Sequence, residues 1–510
     1  MEFFLTKGKL PKKLSLLAKL FSRAAAGAGA SNEAYLAERL LRAEMARMRE
    51  RLRGVPRDFP KLKMEQRAKD RFARSRSRRM MKAIRKSERP VVTKDLLAAR
   101  YRRSPILDRL VHDRERNWTP ILKRRSLKHT LSVSLKNFSF LDDPNGALAS
   151  LSRIGLLECT ASQAALHFDD DFCLDAGAYL VLAEIWPQMA RIFAGGRMRR
   201  PVQKVLNAIG VGRHNNMALL AAVGDPEFQL NGKHADVWAF PLQRRRPART
   251  STSTTVHIEP QTRERATDRF CETVNDWLGV PEIERELTQE GKGWIAGIIG
   301  ELLCNAERHS QAETVDGDWA VTAFMVKRSE NGEDVFRCHM AFLSVGRSFA
   351  QSLNDAPSDV RNFVDEYTVK HIRKGQSTST LATLVALQDA VTRDPKARLL
   401  GSGGTGLMDV LDLVSLLGPT KEPGKEARVT IVSGDSCIKL QSPYIRGDRR
   451  EGPTAPRVLW CNAENSPEYP PDEASVFDLK EHFAGTLVSV AFTLDPVYFA
   501  DDSETENDSD

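Results

Sequence analysis

Hydrophobic and polar positions predict a chain that changes character twice. Residues 33–52 are rich in Ala, Leu, Glu and Arg, which are good helix-forming residues. Between residues 61 and 88 large apolar residues are sparse, and twelve Lys and Arg side chains occur there. We therefore predict that residues 1–128 form a basic, mostly helical arm with little core of its own.

Short strands and apolar helices are predicted from residue 129 onwards. The strand candidates are 131–135, 166–168, 217–223 and 237–240. The helix candidates are 174–193, which Pro187 would kink, and 201–209, which has Pro at its first turn and Gly210 just after its end. This alternation predicts a small α/β domain over residues 129–243.

Composition marks two boundaries after this domain. Three consecutive arginines followed by a proline, and then a Ser/Thr run, fall within residues 244–262, which we interpret as a linker. The next domain is predicted to span residues 263–497. Residues 498–510 form a predicted disordered acidic tail, since the last ten residues contain six acidic and no apolar side chains.

Three segments of the last domain carry candidate chemistry. Glu301, Asn305 and His309 recur every four residues on a predicted amphipathic helix and therefore share one edge of it. A carboxylate there can orient or deprotonate water, and an amide oxygen can hold Mg²⁺. The loop 401–407 is glycine-rich and precedes an apolar helical run, so its backbone N–H groups can face an anion. Gly485 and Thr486 introduce a strand.

These segments together resemble the ATP-binding domain of the GHKL superfamily, which is shared by gyrase, histidine kinases and anti-sigma-factor kinases. The resemblance implies a C-terminal α/β sandwich with helices on one face of a mixed sheet. It implies Glu301 as general base, Asn305 as Mg²⁺ ligand and His309 as a phosphate-side contact. The nucleotide-binding residues it implies in the loops are Gly403, Gly404, Thr405, Gly406 and Thr486.

One motif departs from the family pattern. The first glycine box of the family reads Asp-x-Gly-x-Gly after an apolar strand, and its Asp binds the adenine amino group. The matching strand here is 340–343, and the box reads Ser344-Val345-Gly346-Arg347-Ser348. Ser344 and Gly346 are retained as candidate nucleotide contacts, and the base specificity stays open.

The middle domain, residues 129–243, resembles the STAS-like domains that accompany GHKL domains in bacterial proteins. In sigma-factor regulators an Asp-Ser pair of such a domain is phosphorylated on Ser. Here Asp175 is followed by Ala176 and Gly177, so the matching turn has no phosphoacceptor. An unrelated small α/β domain is the alternative.

Charge separates the arm from the rest. Residues 1–130 contain 37 Lys and Arg against 13 Asp and Glu, whereas the remainder contains 39 against 54. Such an arm can bind nucleic acid without sequence preference. An anionic lipid or an acidic protein surface is the alternative partner. The seven cysteines and ten histidines are scattered, which predicts neither a disulfide framework nor a zinc site.

Together these patterns predict a cytoplasmic α/β protein without a membrane span that binds ATP with Mg²⁺ and acts as a conformational switch or weak ATPase. A homodimer is compatible with the resemblance. A non-enzymatic sensor with a degenerate nucleotide site is the alternative, and an anti-sigma-type protein kinase is a third interpretation. A histidine kinase would need a phosphoacceptor such as His112, which precedes Asp113.

Overall fold

A computed structural model describes about three fifths of the chain. The described residues are 101, 103–119, 131–214, 220–223, 236–245, 260–310, 317–330, 332–389, 391, 406–418, 425–445, 448–449 and 457–496. The predicted helix 33–52, the basic segment 61–88 and the acidic tail lie outside them.

The chain divides into two compact units. The first consists of Met1–Arg102, Asn117–Leu131 and Glu158–Gln163. Its described part includes Trp118, whose indole Nε1 donates to Glu158 at 3.1 Å. The second unit consists of Arg103–Arg116, Ser132–Leu157 and Ala164–Asp510, and it contains both sheets described next.

The elements follow one another in mixed α/β order. The helices are α1 Pro105–Leu110, α2 Arg114–Asn117, α3 Pro144–Thr160, α4 Ala176–Met189, α5 Arg200–Ala208, α6 Val211–His214, α7 Arg263–Leu278, α8 Gln289–His309, α9 Phe349–Leu353, α10 Ser358–His371, α11 Thr378–Ala386 and α12 Gly406–Leu417. The strands are β1 Leu131–Leu135, β2 Ala164–Phe168, β3 Phe193–Arg199, β4 Leu220–Val223, β5 Val237–Arg244, β6 Ala320–Glu330, β7 Glu333–Val345, β8 Arg428–Leu440, β9 Asp448–Arg449, β10 Arg457–Val458 and β11 Val476–Leu494.

A four-stranded sheet has the order β1-β2-β3-β4, and β2, β3 and β4 run parallel. The strand and helix predictions for residues 131–209 are confirmed, with small shifts of their ends. Pro187 lies inside α4. Gly210 follows α5 with a φ of +80°, a conformation that favours glycine after a helix end.

A five-stranded sheet has the order β5-β6-β7-β11-β8, and each neighbouring pair runs antiparallel. The expectation of a mixed sheet was therefore wrong. The reason is visible at the β6–β7 connection, where Glu330 pairs with Glu333 across a hairpin. A connection this short can only join antiparallel strands.

The strand predicted at residues 237–240 belongs to this second sheet. β5 extends to Arg244 and pairs with β6, with Val237 opposite Val326. The first residues of the predicted linker are therefore structured. Arg245 donates its backbone N–H to the Trp319 carbonyl at 3.1 Å, which continues the strand pairing.

Both faces of the five-stranded sheet are covered. One face packs against α7, α8, α11 and α12 around a large apolar core. The opposite face packs against α4 of the middle domain, which contacts β6, β7 and β11. The expectation of helices on one face only is thus corrected. The sequence of α4 explains its position, because a helix that is hydrophobic nearly all round is stable only when it is buried.

Candidate functional site

Helix α8 carries Asn305, one of the predicted site residues, beside its buried face. Thr288 caps its start, because the Thr288 hydroxyl accepts from the Gly291 N–H at 3.0 Å. Its buried stripe consists of Ile295, Ile298, Ile299 and Leu303. Burial of this stripe fixes the rotation of the helix and leaves Asn305 half-buried beside it.

A cavity of about 140 Å³ lies between α8, the sheet, α9 and the end of α11. Apolar side chains form most of its wall, among them Leu303, Trp319, Phe342, Leu353, Leu387 and Val488. Asn305, Ser344 and Thr486 also line it. Three residues that the sequence analysis selected from distant segments therefore meet at one cavity.

Hydroxyl groups form a row across three strands of the sheet, and two of them, those of Ser344 and Thr486, belong to residues that line the cavity. Thr486 on β11 stands opposite Ser344 on β7 and opposite Ser433 on β8. The Thr486 Oγ1 and Ser433 Oγ atoms are 2.8 Å apart, and either oxygen can be the donor. The Ser433 hydroxyl also accepts from the Phe349 N–H at 2.9 Å. The wall therefore combines an apolar surface with a few ordered hydroxyls.

The Ser344 hydroxyl stands out within this row. Its Oγ is buried and has no hydrogen-bond partner among the described residues. A buried polar atom without a partner is costly and calls for an explanation, such as a missing ligand. Because Ser344 lines the cavity, a bound molecule can supply that partner.

Close backbone contact shapes the end of β7. Gly485 has a φ of +134°, and a Cβ at this position would stand 2.1 Å from the Ser344 carbonyl oxygen. The Gly346 N–H donates to the Ala484 carbonyl at 3.3 Å. Only glycine permits this approach. Gly485 and Thr486 lie inside β11, at a register shift against β8, so the expectation that they introduce the strand was wrong.

A cluster around Glu307 supports the cavity, and the sequence analysis missed it. The Trp319 indole Nε1 donates to the Glu307 carboxylate at 2.9 Å. Arg245 and Arg263 approach the same carboxylate at 3.3 and 3.5 Å. Arg245 also donates to the Gly317 carbonyl at 2.6 Å. The position of Arg245 inside an apparent linker hid this role, and the position of Glu307 two residues after Asn305 is the one signal that could have indicated it.

Arg347 places a positive charge at the rim. Its guanidinium lines the cavity and forms an ion pair with Asp355. Its backbone N–H donates to the Ser310 carbonyl at 2.8 Å, which joins the end of β7 to the end of α8.

The other predicted site residues have these positions. Glu301 is half-buried, one turn before Asn305 on α8, and is not among the residues that line the cavity. Gly346 follows β7, and Gly406 begins α12. His309 ends α8, but its side chain lies outside the described residues, as do Gly403, Gly404 and Thr405.

The predicted STAS-like turn is buried between the two sheets. Asp175 caps α4, accepting the Gly177 N–H at 2.7 Å and the Phe140 N–H at 2.7 Å. It also accepts from the Ser489 hydroxyl of β11. Burial raises the pKa of Asp175, and these hydrogen bonds partly oppose that shift. The turn is occupied by contacts within the chain.

Within the described part of the chain, no three His, Cys, Asp or Glu side chains are grouped so that they could hold a metal ion. None of the described helices combines the length and apolar character that a bilayer crossing requires. No family model, curated protein or solved structure matches this chain.

Proposed function

We propose that residues 263–497 form a GHKL-type nucleotide-binding domain that holds ATP in the cavity beside α8. The observation that carries the proposal is the meeting of Asn305, Ser344 and Thr486 at this cavity. These residues belong to three separate sequence motifs. The buried Ser344 Oγ without a partner adds independent support for a bound ligand.

We assign positions to the base and to the phosphates from the polarity of the cavity wall. Apolar walls exclude the triphosphate, because moving charged oxygens out of water is costly. The uncharged base therefore occupies the cavity. The phosphates extend past Asn305 towards α12, which packs against α8 and begins at Gly406. A helix N-terminus favours anions through its free N–H groups.

The residues present fit a Mg²⁺ ion that is held largely by the nucleotide. Mg²⁺ prefers oxygen ligands and usually keeps several waters, together with phosphate oxygens and few protein groups. The Asn305 amide oxygen is such a protein ligand. When bound, the ion would neutralise phosphate charge.

Glu301 would act as the general base that removes a proton from water. Its position outside the cavity wall favours a slow ATPase or a binding switch over rapid hydrolysis. A sensor that binds nucleotide without hydrolysis remains the alternative function, and an anti-sigma-type kinase is a further one. His112 lies between the short helices α1 and α2, which gives a histidine kinase no support.

Calorimetric titration of the full chain with ATP, with and without Mg²⁺, tests the proposal. We expect binding that Mg²⁺ strengthens. Glu301→Ala should keep this binding and reduce any hydrolysis by about 10²–10⁴-fold, the usual contribution of a positioned base. Asn305→Ala should lose the Mg²⁺ dependence.

Different failures of this experiment have different meanings. Absence of binding to any nucleotide would refute the proposal. Binding without hydrolysis in the unaltered chain would identify the sensor. Equal loss of binding in Glu301→Ala and Asn305→Ala, with a lowered unfolding temperature, would show that both substitutions merely damage α8.

For the middle domain and the arm, the proposals rest on the sequence. We propose a STAS-like domain over 129–243 without β5, which pairs in the five-stranded sheet, and the parallel strands β2, β3 and β4 support the assignment. Residues 1–128 would contact nucleic acid through phosphates. Affinity for a labelled duplex should then fall with salt, with a slope of about −0.9 per neutralised phosphate. A flat response would leave lipid or protein as the partner.

A further inference from the structure

Hydroxyl-bearing residues, among them Ser344 and Thr486, line the cavity that we propose for the base. We infer that the site binds 6-oxopurine nucleotides about as well as 6-aminopurine nucleotides, with Ser344 as the adaptable contact. The inference rests on the proposed function, because it concerns the base that occupies the same cavity. It adds the class of nucleotide that the site accepts.

None of the described side chains that line the cavity can only accept hydrogen bonds. Among the described residues that line the cavity, none is Asp or Glu. An ionised carboxylate can only accept, so it pairs with an amino group and repels a carbonyl. A hydroxyl has one donor and two acceptor positions. Ser344 can therefore donate to a 6-oxo group or accept from a 6-amino group.

Contacts with the described residues do not fix whether the Ser344 hydroxyl donates or accepts. The Ser344 Oγ is buried and has no partner among the described residues, so no protein contact fixes the direction of its proton. Its backbone is fixed, because Ser344 pairs with Thr486 across the β7–β11 ladder. The oxygen is thus held in place while its hydrogen can rotate.

The neighbouring hydroxyl pair is adaptable for the same reason. Thr486 and Ser433 share one hydrogen bond of 2.8 Å, and either oxygen can donate. When Ser433 donates, the Thr486 proton is free to point at a ligand acceptor. When Thr486 donates, its lone pairs can face a ligand donor. Reversal of one hydrogen bond thus changes what Thr486 presents to the base.

The charged group at the rim does not impose a preference. Arg347 is the one charged residue among the described residues that line the cavity, and it could favour a carbonyl as a fixed donor. Its guanidinium forms an ion pair with Asp355, which uses part of its donor capacity and balances its charge. Selectivity is therefore left to Ser344 and Thr486.

Comparison of ATP with inosine triphosphate is the sharpest test, because the two bases differ only around ring position 6. We expect dissociation constants for the full chain that agree within about fivefold, since each forms one neutral hydrogen bond to Ser344. Purine riboside triphosphate, which lacks a 6-substituent, should bind about five- to tenfold more weakly than both.

Variants then assign the effect to one side chain. Ser344→Ala should weaken ATP and inosine triphosphate alike, by about five- to tenfold. Ser329→Ala is the matched control, because Ser329 is exposed near the end of β6 and is not among the residues that line the cavity. It should change neither constant. Ser344→Asp, measured at pH 8, should shift the ratio at least about tenfold towards ATP.

The outcomes separate this inference from the proposed function. A preference of the unaltered chain for ATP of more than about thirtyfold would overturn the inference and leave nucleotide binding intact. An unchanged ratio in Ser344→Asp, with the protein folded by thermal unfolding, would also overturn it. Absence of binding to all three nucleotides would refute the proposed function itself and the inference with it.

Discussion

Serine side chains on the two faces of the five-stranded sheet differ in their hydrogen bonding. Side chains alternate along a strand, so β11 directs Thr486 and Val488 to the cavity and Ser489 to α4. On the α4 side, Ser489 bonds to a buried carboxylate of the same chain. On the cavity side, Ser344 has no described partner.

This difference predicts that substitutions on the two faces have different effects. Polar groups on the α4 side join the middle domain to the sheet. Arg244 of β5 pairs with Glu184 of α4 at 2.5 Å, and Arg328 of β6 donates to the Cys173 carbonyl at 3.0 Å. Substitutions on this side should affect stability, and substitutions on the cavity side should affect binding.

Removal of the Asp175 carboxylate should have the largest effect. Asp175→Ala leaves two buried N–H groups and the Ser489 hydroxyl without their acceptor, at a cost of about 1–3 kcal/mol for each unsatisfied group. We expect the free energy of unfolding to fall by about 3 kcal/mol or more in urea titrations. Asp171→Ala is the control, because Asp171 forms an exposed ion pair with Arg199 at 3.4 Å that is worth under about 1 kcal/mol. Equal effects in the two variants would contradict the comparison.

His339, on the α4 side of β7, should make stability depend on pH. Burial, with nearby Arg328, Arg428 and Arg337, holds the pKa of His339 well below 6.5. The unfolded chain therefore binds a proton that the folded chain does not. The stability from this histidine is present above pH 6.5 and is lost as pH falls.

From pH 7.5 to 5.5, this linkage should cost about 1.4 kcal/mol. His339→Phe, which can keep the stacking on Phe324, should remove that part of the slope. Parallel pH profiles for the two proteins, from chemical unfolding, would show that His339 titrates normally.

The smallest expected effect compares two positions on one strand. Thr486→Val keeps the shape of the side chain and removes a hydroxyl from the cavity. We expect ATP binding to weaken about fivefold with less than about 1 kcal/mol change in stability. Ser489→Ala, on the opposite face, should lower stability by about 1–2 kcal/mol and leave binding unchanged. Reversal of this pattern in calorimetry and unfolding would mean that the two faces are energetically coupled.

Local patterns in the sequence predicted some of the elements, whereas α3, α10, β3 and β6 were not predicted. The apolar repeat of residues 294–303 predicted α8, and the strands at 340–343 and 485–492 lie within β7 and β11. Helix and strand periodicity depend on neighbouring residues only. The same local motifs selected Asn305, Ser344 and Thr486, although their assembly in one cavity could not be read from their spacing.

Only the tertiary structure decided which elements become partners. β5 has the composition of a strand in either domain, and its pairing with β6 assigned it to the second sheet. Burial of α4 on both sides, the antiparallel order of the sheet, and the bonds of Arg245 and Glu307 depend on contacts between residues far apart in the chain. The sequence determined that Ser344 is a hydroxyl, and the packing around it decided that this hydroxyl is buried without a partner, because hydrogen bonding depends on which groups the fold brings within reach.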